Sequence, residues 1–305
     1  MSKIEIIEVG PRDGLQNESN PISVQQKVAL VERLFQAGLK RIEVGAFVAP
    51  QAVPQMADSG QVVKRLSSMT LPKHRFLVLV PNARGLDDAL EAGAREIAVF
   101  TAASETFNQK NIRCSIDESF RRIQDVLKRT RGKRIKIRGY VSMAFGCPFE
   151  GAVPTRKVYE VTERLLDLGV SEVSIGDTIG VATPRQVRTL LKGFRRLAPP
   201  QKLALHFHDT RGLALANVVE ALDHDISKFD SSIGGLGGCP YAPGATGNLA
   251  TEDLVYLLHG MGLPTGIDLP RLIETNAWLA GLFERPLPSR VSRAKNVPSY
   301  IFSKP

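Results

Sequence analysis

One pattern recurs along this chain and limits what it can fold into: a short β-rich run, a turn, then a stretch with helical periodicity. The β-rich runs lie at residues 4–9, 41–47, 75–80, 96–100, 136–141, 172–176, 202–207 and 228–233. Strict alternation of strand and helix implies parallel strands joined by helical crossovers. Eight such units close a (β/α)8 TIM barrel, the α/β fold expected here, with additional helices after the eighth strand. A doubly wound open sheet shares the alternation but more often carries a glycine-rich dinucleotide turn after its first strand. That position reads G-P-R-D-G-L-Q-N-E, and the barrel is preferred.

The helical stretches carry start and stop signals. Ser23 stands as N-cap before V-Q-Q-K-V-A-L-V-E-R-L-F, and Gly38 follows the last turn. Asn82 opens A-R-G-L-D-D-A-L-E-A-G in the same way, and Thr155 opens R-K-V-Y-E-V-T-E-R-L-L-D-L-G. Residues 251–283 read as further helix, and Pro286 and Pro288 start an irregular tail. No linker or low-complexity segment divides the chain. Residues 1–305 are expected to form one domain, with the barrel over about 4–262 and a helical extension over about 263–305.

Composition excludes some classes of function. No apolar run approaches the roughly 18 residues of a membrane span, so no membrane partner is expected. The net charge of +9 invites a nucleic-acid reading. The Lys and Arg are spread out, however, with a local cluster only at 128–138 and no zinc-finger or RNA-binding aromatic signature beside it. A solvated helix end accounts for that cluster, and no nucleic-acid partner is expected. The surplus charge also fits a small polyanionic ligand such as a phosphorylated cofactor. Cys114, Cys147 and Cys239 are odd in number and lack metal-ligand spacing, and the N-terminus has no signal-peptide character. A reduced, cytoplasmic setting follows as the expectation.

In a barrel of this kind, chemistry gathers at the C-terminal strand ends and the loops beyond them. Arg12 and Asp13 follow the first strand, Glu43 lies in the second, Asp177 follows the sixth, and L-H-F-H-D ends the seventh. Side chains alternate along a strand, so His206 and His208 project to the same side, roughly 7 Å apart. One divalent metal can take a nitrogen from each. Asp13, His206, His208 and Asn248 together offer two oxygens and two imidazoles, a set without thiolate that suits Mg²⁺ or Mn²⁺ better than structural zinc. Glu43 is costly to bury without a partner, and Arg12 is the natural one. After the eighth strand, G-G-L-G-G-C-P-Y-A-P-G-A-T-G-N carries Cys239 and Asn248 and reads as a mobile lid. Cys114 and Cys147 are given structural roles.

These residues sit in blocks that resemble one family. G-P-R-D-G-L-Q-N-E, F-V-A-P-Q-A-V-P-Q-M, G-C-P-F-E-G, G-D-T-I-G-V, H-F-H-D-T-R-G-L-A-L-A-N and G-L-G-G-C-P-Y-A-P-G-A-T-G-N-L-A-T-E-D-L-V-Y look like 3-hydroxy-3-methylglutaryl-CoA lyase, in the right order over about residues 6–262. The resemblance implies a metal-dependent lyase that cleaves a hydroxyacyl-CoA into acetyl-CoA and acetoacetate, as a homodimer. By matching positions, Asp13, His206, His208 and Asn248 would be the metal site. Arg12 and Glu43 would be the active-site pair, with Arg12 also binding substrate. Asp177 would be a further acidic site residue, Cys239 the loop cysteine that donates a proton, and His206 or a group coupled to it the base.

The chain also departs from the family pattern. V-G-A-F after Glu43 replaces a threonine-bearing segment of some members, and Ser19 replaces a lysine that offers one contact to the CoA phosphates. The acyl group is therefore less defined than the reaction class, and a longer-branched 3-hydroxyacyl-CoA stays open. A Claisen-type synthase of the same superfamily would share the metal site, but the cysteine-bearing loop argues against it.

Overall fold

The computed structural model describes residues 3–69, 76–238 and 247–294. Eight parallel strands follow one another round a closed barrel: β1 (Glu5–Glu8), β2 (Arg41–Ala46), β3 (Phe76–Leu79), β4 (Glu96–Ala102), β5 (Lys136–Ser142), β6 (Glu172–Asp177), β7 (Leu203–Phe207) and β8 (Lys228–Ser231). Closure is made where Glu5 of β1 pairs with Lys228 of β8. The crossovers are α1 (Val24–Gln36), α2 (Ser59–Ser68), α3 (Ala83–Glu91), the pair α4 (Glu105–Ile112) and α5 (Ile116–Thr130), α6 (Thr155–Asp167), α7 (Pro184–Phe194) and α8 (Ala214–Leu222). After β8 come α9 (Thr251–Gly260), α10 (Leu269–Phe283) and a short α11 (Arg290–Arg293).

Local signals set these boundaries. Ser23 and Gln26 exchange hydrogen bonds in a capping box at the start of α1, and Asn82 accepts from the Gly85 N–H at the start of α3. Thr155 is not the cap expected of it. Pro154, in extended conformation with ψ of 133°, is the capping residue, and Thr155 is already the first helical residue. A side chain one position inside the helix is not placed to accept from the first-turn N–H groups. The apolar face of each crossover helix packs on the barrel: Leu30 and Leu34 of α1, Leu86 of α3 and Leu165 of α6 are fully buried. Each such side chain contributes about 1.5–3 kcal/mol on transfer from water.

The barrel interior is charged. Arg138 of β5 lies 2.6 Å from Asp230 of β8, and these strands are not neighbours, so the pair spans the interior. Arg138 also pairs with Glu172 of β6 at 3.1 Å. Glu172 meets Arg41 of β2 at 2.9 Å and Lys228 of β8, and Arg41 reaches Glu96 of β4 at 2.5 Å. Buried ions persist only when paired, and each of these carboxylates has a cationic partner.

Of the tail after α10, residues 284–294 are less irregular than Pro286 and Pro288 suggest. The Ser289 hydroxyl and the N–H groups of Arg290 and Val291 all donate to the Asp253 carboxylate, at 2.8–3.1 Å. Arg290 Nη1 donates to Asp209 Oδ2 at 2.6 Å, one residue past His208. Leu287 packs on Gly234, where a Cβ would lie 2.5 Å from Leu287 Cδ1 and where φ is +65°. Gly234 N–H donates to both oxygens of the buried Glu252, at 3.0 and 2.9 Å, and Asn276 Nδ2 donates to one of them at 2.7 Å.

Burial raises the Glu252 carboxyl from 4.5 to about 7, and its N–H donors pull against that shift without cancelling it. A raised carboxyl favours the folded state while it is protonated. Its contribution is therefore complete below about pH 4.5 and is lost as pH rises through about 7, on the order of 3 kcal/mol in all. Burial also takes Glu8 to about 7, so it adds to the same slope. We expect wild-type unfolding free energy to fall between about pH 5 and 8 and Glu252→Gln to fall less steeply. Denaturant titrations at both pH values check this; parallel slopes would contradict it.

Candidate metal centre

The chain leaves β1 through a π-type turn, Gly10–Gly14, in which the N–H groups of Arg12, Asp13 and Gly14 all donate to the Val9 carbonyl, at 3.1, 2.7 and 3.2 Å. Three donors on one oxygen make this turn compact. Gly14 is required there, because a Cβ would sit 2.7 Å from Ser232 Oγ. Beneath the turn, buried Glu8 accepts from the N–H groups of Gly10 and Ile233, both at 2.8 Å, and from the Thr251 hydroxyl at 2.6 Å. One carboxylate thereby ties the turn bearing Arg12 and Asp13 to the segments either side of the glycine-rich loop. Nothing in the strand I-E-I-I-E-V marks Glu8 for this.

Asp13, His206 and His208 each offer a ligand atom, and these atoms lie within 4.8 Å of one another. His206 belongs to β7. His208 lies just beyond it and pairs with Asn248 in an isolated bridge, so Asn248 joins the cluster from the far side of the glycine-rich loop. Asn248 Nδ2 donates to Asp13 Oδ2 at 2.8 Å and to the Leu236 carbonyl at 3.0 Å. Asn248 Oδ1 and His208 Nδ1 are buried without a hydrogen-bond partner. An acceptor buried and left unmatched costs about 1–3 kcal/mol. A hard divalent cation would match a carboxylate, imidazole nitrogens and an amide oxygen, and the residues present fit such an ion.

Arg12 is clamped between carboxylates. Its Nε and Nη2 reach Glu43 Oε2 at 2.7 and 2.6 Å, its Nη1 donates to Asp13 Oδ1 at 2.6 Å, and the guanidinium carbon lies 5.8 Å from the Tyr140 ring centre. Glu43 is fully buried in β2, where the pairing with β3 shifts register between Glu43 and Gly45. Such bulges re-aim side chains near functional sites. Gly45 is needed because Ser59 closes on it: a Cβ would lie 2.7 Å from Ser59 Oγ, which accepts from the Ala46 N–H. Glu43 Oε1 is buried and has no hydrogen-bond partner.

The charge states follow from these contacts. Burial works to raise the Asp13 carboxyl, but Arg12 and the two imidazoles bring it down to about 2. Burial and the neighbouring His206 push His208 down to about 3, so near neutral pH it is a neutral imidazole able to ligate. Burial lowers His206 too, but Asp230 and Asp13 more than reverse that. Burial raises Glu43, and Arg12 offsets only part of the rise.

Asp177 stands differently from the rest. Its two oxygens accept from the N–H groups of Val181 and Ala182, at 2.9 and 3.0 Å, and pin the turn after β6. Burial outweighs those bonds and lifts it to about 6. Cys239 lies outside the described residues, and the lid reading of residues 239–246 lies there with it. Cys114 and Cys147 are buried and free.

Removing Arg12 strands Glu43 as a buried unpaired carboxylate. Arg12→Met should cost about 3–5 kcal/mol, and adding Glu43→Leu should recover most of that loss, because an apolar pair of similar volume often replaces a buried ion pair without penalty. A double-mutant cycle by denaturant unfolding measures it, and additive losses would contradict the geometry.

Comparison with known proteins gives consistent matches. Residues 3–279 match the HMGL-like family model. Hydroxymethylglutaryl-CoA lyase of Pseudomonas mevalonii is 52% identical over 274 residues, 90% of each chain. The human protein named mitochondrial hydroxymethylglutaryl-CoA lyase is 48% identical over 292 residues, 96% of this chain and 89% of its own. Among solved structures, hydroxymethylglutaryl-CoA lyase of Pseudomonas aeruginosa superposes with a TM-score of 0.92 at 47% identity, covering 96% of this chain and 97% of its own. An Acinetobacter baumannii HMG-CoA lyase in complex with coenzyme A and 3-methylmalate gives 0.90 at 38% identity, covering 97% of this chain and 98% of its own.

Proposed function

This chain belongs to the HMGL-like family, and we propose that it cleaves 3-hydroxy-3-methylglutaryl-CoA to acetyl-CoA and acetoacetate with the help of a divalent metal. The observation that carries this reading is the meeting of Asp13, His206 and His208 within 4.8 Å beside an Arg12 already held by Glu43 and Asp13. Those segments are as far apart as β1 and β7.

In the reaction the tertiary hydroxyl loses its proton, and its oxygen becomes the ketone of acetoacetate. The bond from the carbinol carbon to the carbon next to the thioester breaks, and its electron pair leaves as the acetyl-CoA enolate, which is then protonated on carbon. Asp13, His206, His208 and Asn248 Oδ1 would hold Mg²⁺ or Mn²⁺. The chemistry a bound ion supplies is polarisation of the substrate oxygens, which makes the hydroxyl more acidic.

The chain's own residues do the rest. Arg12, immobilised by two carboxylates, presents a preorganised positive charge to the developing enolate. The hydroxyl proton passes to a group coupled to His206, because an imidazole that ligates a cation through one nitrogen and carries hydrogen on the other has no lone pair left, and Asp13 Oδ2 lies 4.0 Å from His206 Nε2. Cys239 supplies the proton to the enolate carbon. Asp177, whose oxygens also pin the turn after β6, orients a site residue or takes part in the proton path.

We place the enzyme in the cytoplasm as a homodimer. The free, buried Cys114 and Cys147 fit a reducing compartment, and similar rat and mouse proteins are named as cytoplasmic. No helix among the described residues is long and apolar enough to cross a membrane.

The test is product formation from a panel of 3-hydroxyacyl-CoA thioesters after chelation, with and without added Mg²⁺ or Mn²⁺. HMG-CoA should be cleaved only with metal. Arg12→Gln should lower turnover by roughly a hundredfold or more, about 3 kcal/mol in barrier, with a smaller change in Michaelis constant. Preference for a longer-branched thioester, or full activity after chelation, would overturn the reading.

A further inference from the structure

No sequence motif marks Asp230, yet three groups from three strands converge on it. Arg138 Nη2 of β5 donates to Oδ1 at 2.6 Å, Ser174 Oγ of β6 donates to Oδ2 at 2.8 Å, and His206 Nδ1 of β7 lies 3.3 Å from Oδ2. His206 and Asp230 are direct register partners of neighbouring strands, and neither Arg138 nor Asp230 has side-chain exposure. Arg138 is itself held from below by Glu172 and stacks at 5.0 Å from the Tyr140 ring centre.

An ion pair in a barrel core is a poor source of stability, since well-packed apolar residues of similar volume do as well or better. The interior layers of such barrels are dominated by branched apolar side chains. Here an aspartate stands in that position, aimed by a guanidinium and a hydroxyl at the back of one imidazole. A carboxylate paired to Arg138 accepts hydrogen bonds and donates none, so the ring nitrogen facing it is the one that carries hydrogen. Nε2, on the side of Asp13, is then the nitrogen left to give its lone pair to a cation.

We infer that Asp230, oriented by Arg138 and Ser174, is a positioning residue that fixes the ring and tautomer of His206, so that Nε2 is the nitrogen offered to the divalent ion. This rests on the metal-site reading above. A carboxylate behind a ligating imidazole also raises its basicity, and removing one typically costs 10–100-fold in metal affinity.

The experiment is calorimetric titration of chelated enzyme with Mn²⁺, together with nitrogen NMR of the His206 ring in the Mg²⁺-loaded, ¹⁵N-labelled protein. Wild type should show His206 with hydrogen on Nδ1. Asp230→Asn should bind Mn²⁺ at least about tenfold more weakly and lose that signature, whereas a purely structural role would lower thermal stability and leave affinity unchanged. Should Asp230→Asn fail to fold, Ser174→Ala removes one anchoring hydroxyl and should weaken binding several-fold by itself. His208→Ala separates the two levels. If it weakens Mn²⁺ binding more than about tenfold while Asp230→Asn and Ser174→Ala bind as wild type does, the metal site stands and the positioning role is overturned. If His208→Ala also binds as wild type does, the metal-site reading fails and takes this inference with it.

Discussion

A guanidinium shut away from water is the constraint on which the barrel interior depends. Arg138 pairs with Asp230 at 2.6 Å and with Glu172 at 3.1 Å, and Glu172 continues the chain of charge to Arg41 and Lys228. Each member answers the charge of the next, so no single substitution is isolated: deleting one partner leaves another ion buried and unpaired, the costly case. Such an interior adds little to stability. The stabilising burial lies in the shell between strands and crossover helices, where Leu30, Leu34, Leu86 and Leu165 are fully buried. The barrel thus divides its work, with an apolar outer layer that holds the fold and a charged axis that holds geometry.

At the mouth of the barrel the same logic sets charge states. Arg12 sits between Glu43 and Asp13, and that proximity keeps Asp13 ionised while burial keeps His208 neutral. For these two ligands those are the protonation states a divalent cation needs, whereas His206, raised by Asp230 and Asp13, gives up a proton to an arriving ion. The turn that carries Arg12 and Asp13 is held by Glu8, and Glu8 also grips Ile233 and Thr251, either side of the glycine-rich loop. The C-terminal segment adds a second brace, through Arg290 on Asp209 and Leu287 on Gly234. Positioning from several directions is what chemistry at one metal requires, because small misplacements cost rate steeply.

The eight strands were legible because each is a compact β-rich run, and the strand-end rule then pointed to Arg12, Asp13, His206 and His208 without any structure. Ser23 and Asn82 were readable as caps because they precede a clear helical period. Thr155 misled because Pro154, whose fixed φ suits the approach to a helix, took the capping position. Asp230, Arg138 and Glu8 were invisible for a different reason. Each is a charged residue in a short strand, and its meaning lies in a partner 92 residues away for Arg138 and 225 and 243 away for Glu8. Pattern within a window cannot show such pairings.

Asp13, His206, His208 and Asn248 are arranged to surround one cation. Crystals of the chelated enzyme soaked in Mn²⁺ and measured for anomalous scattering test it most directly. One strong peak should stand among Asp13, His206 Nε2, His208 and Asn248 Oδ1, and it should be absent from His208→Ala crystals treated alike. A peak elsewhere in the barrel mouth, or none in wild-type crystals that turn over HMG-CoA, would show that these four residues do not hold the ion.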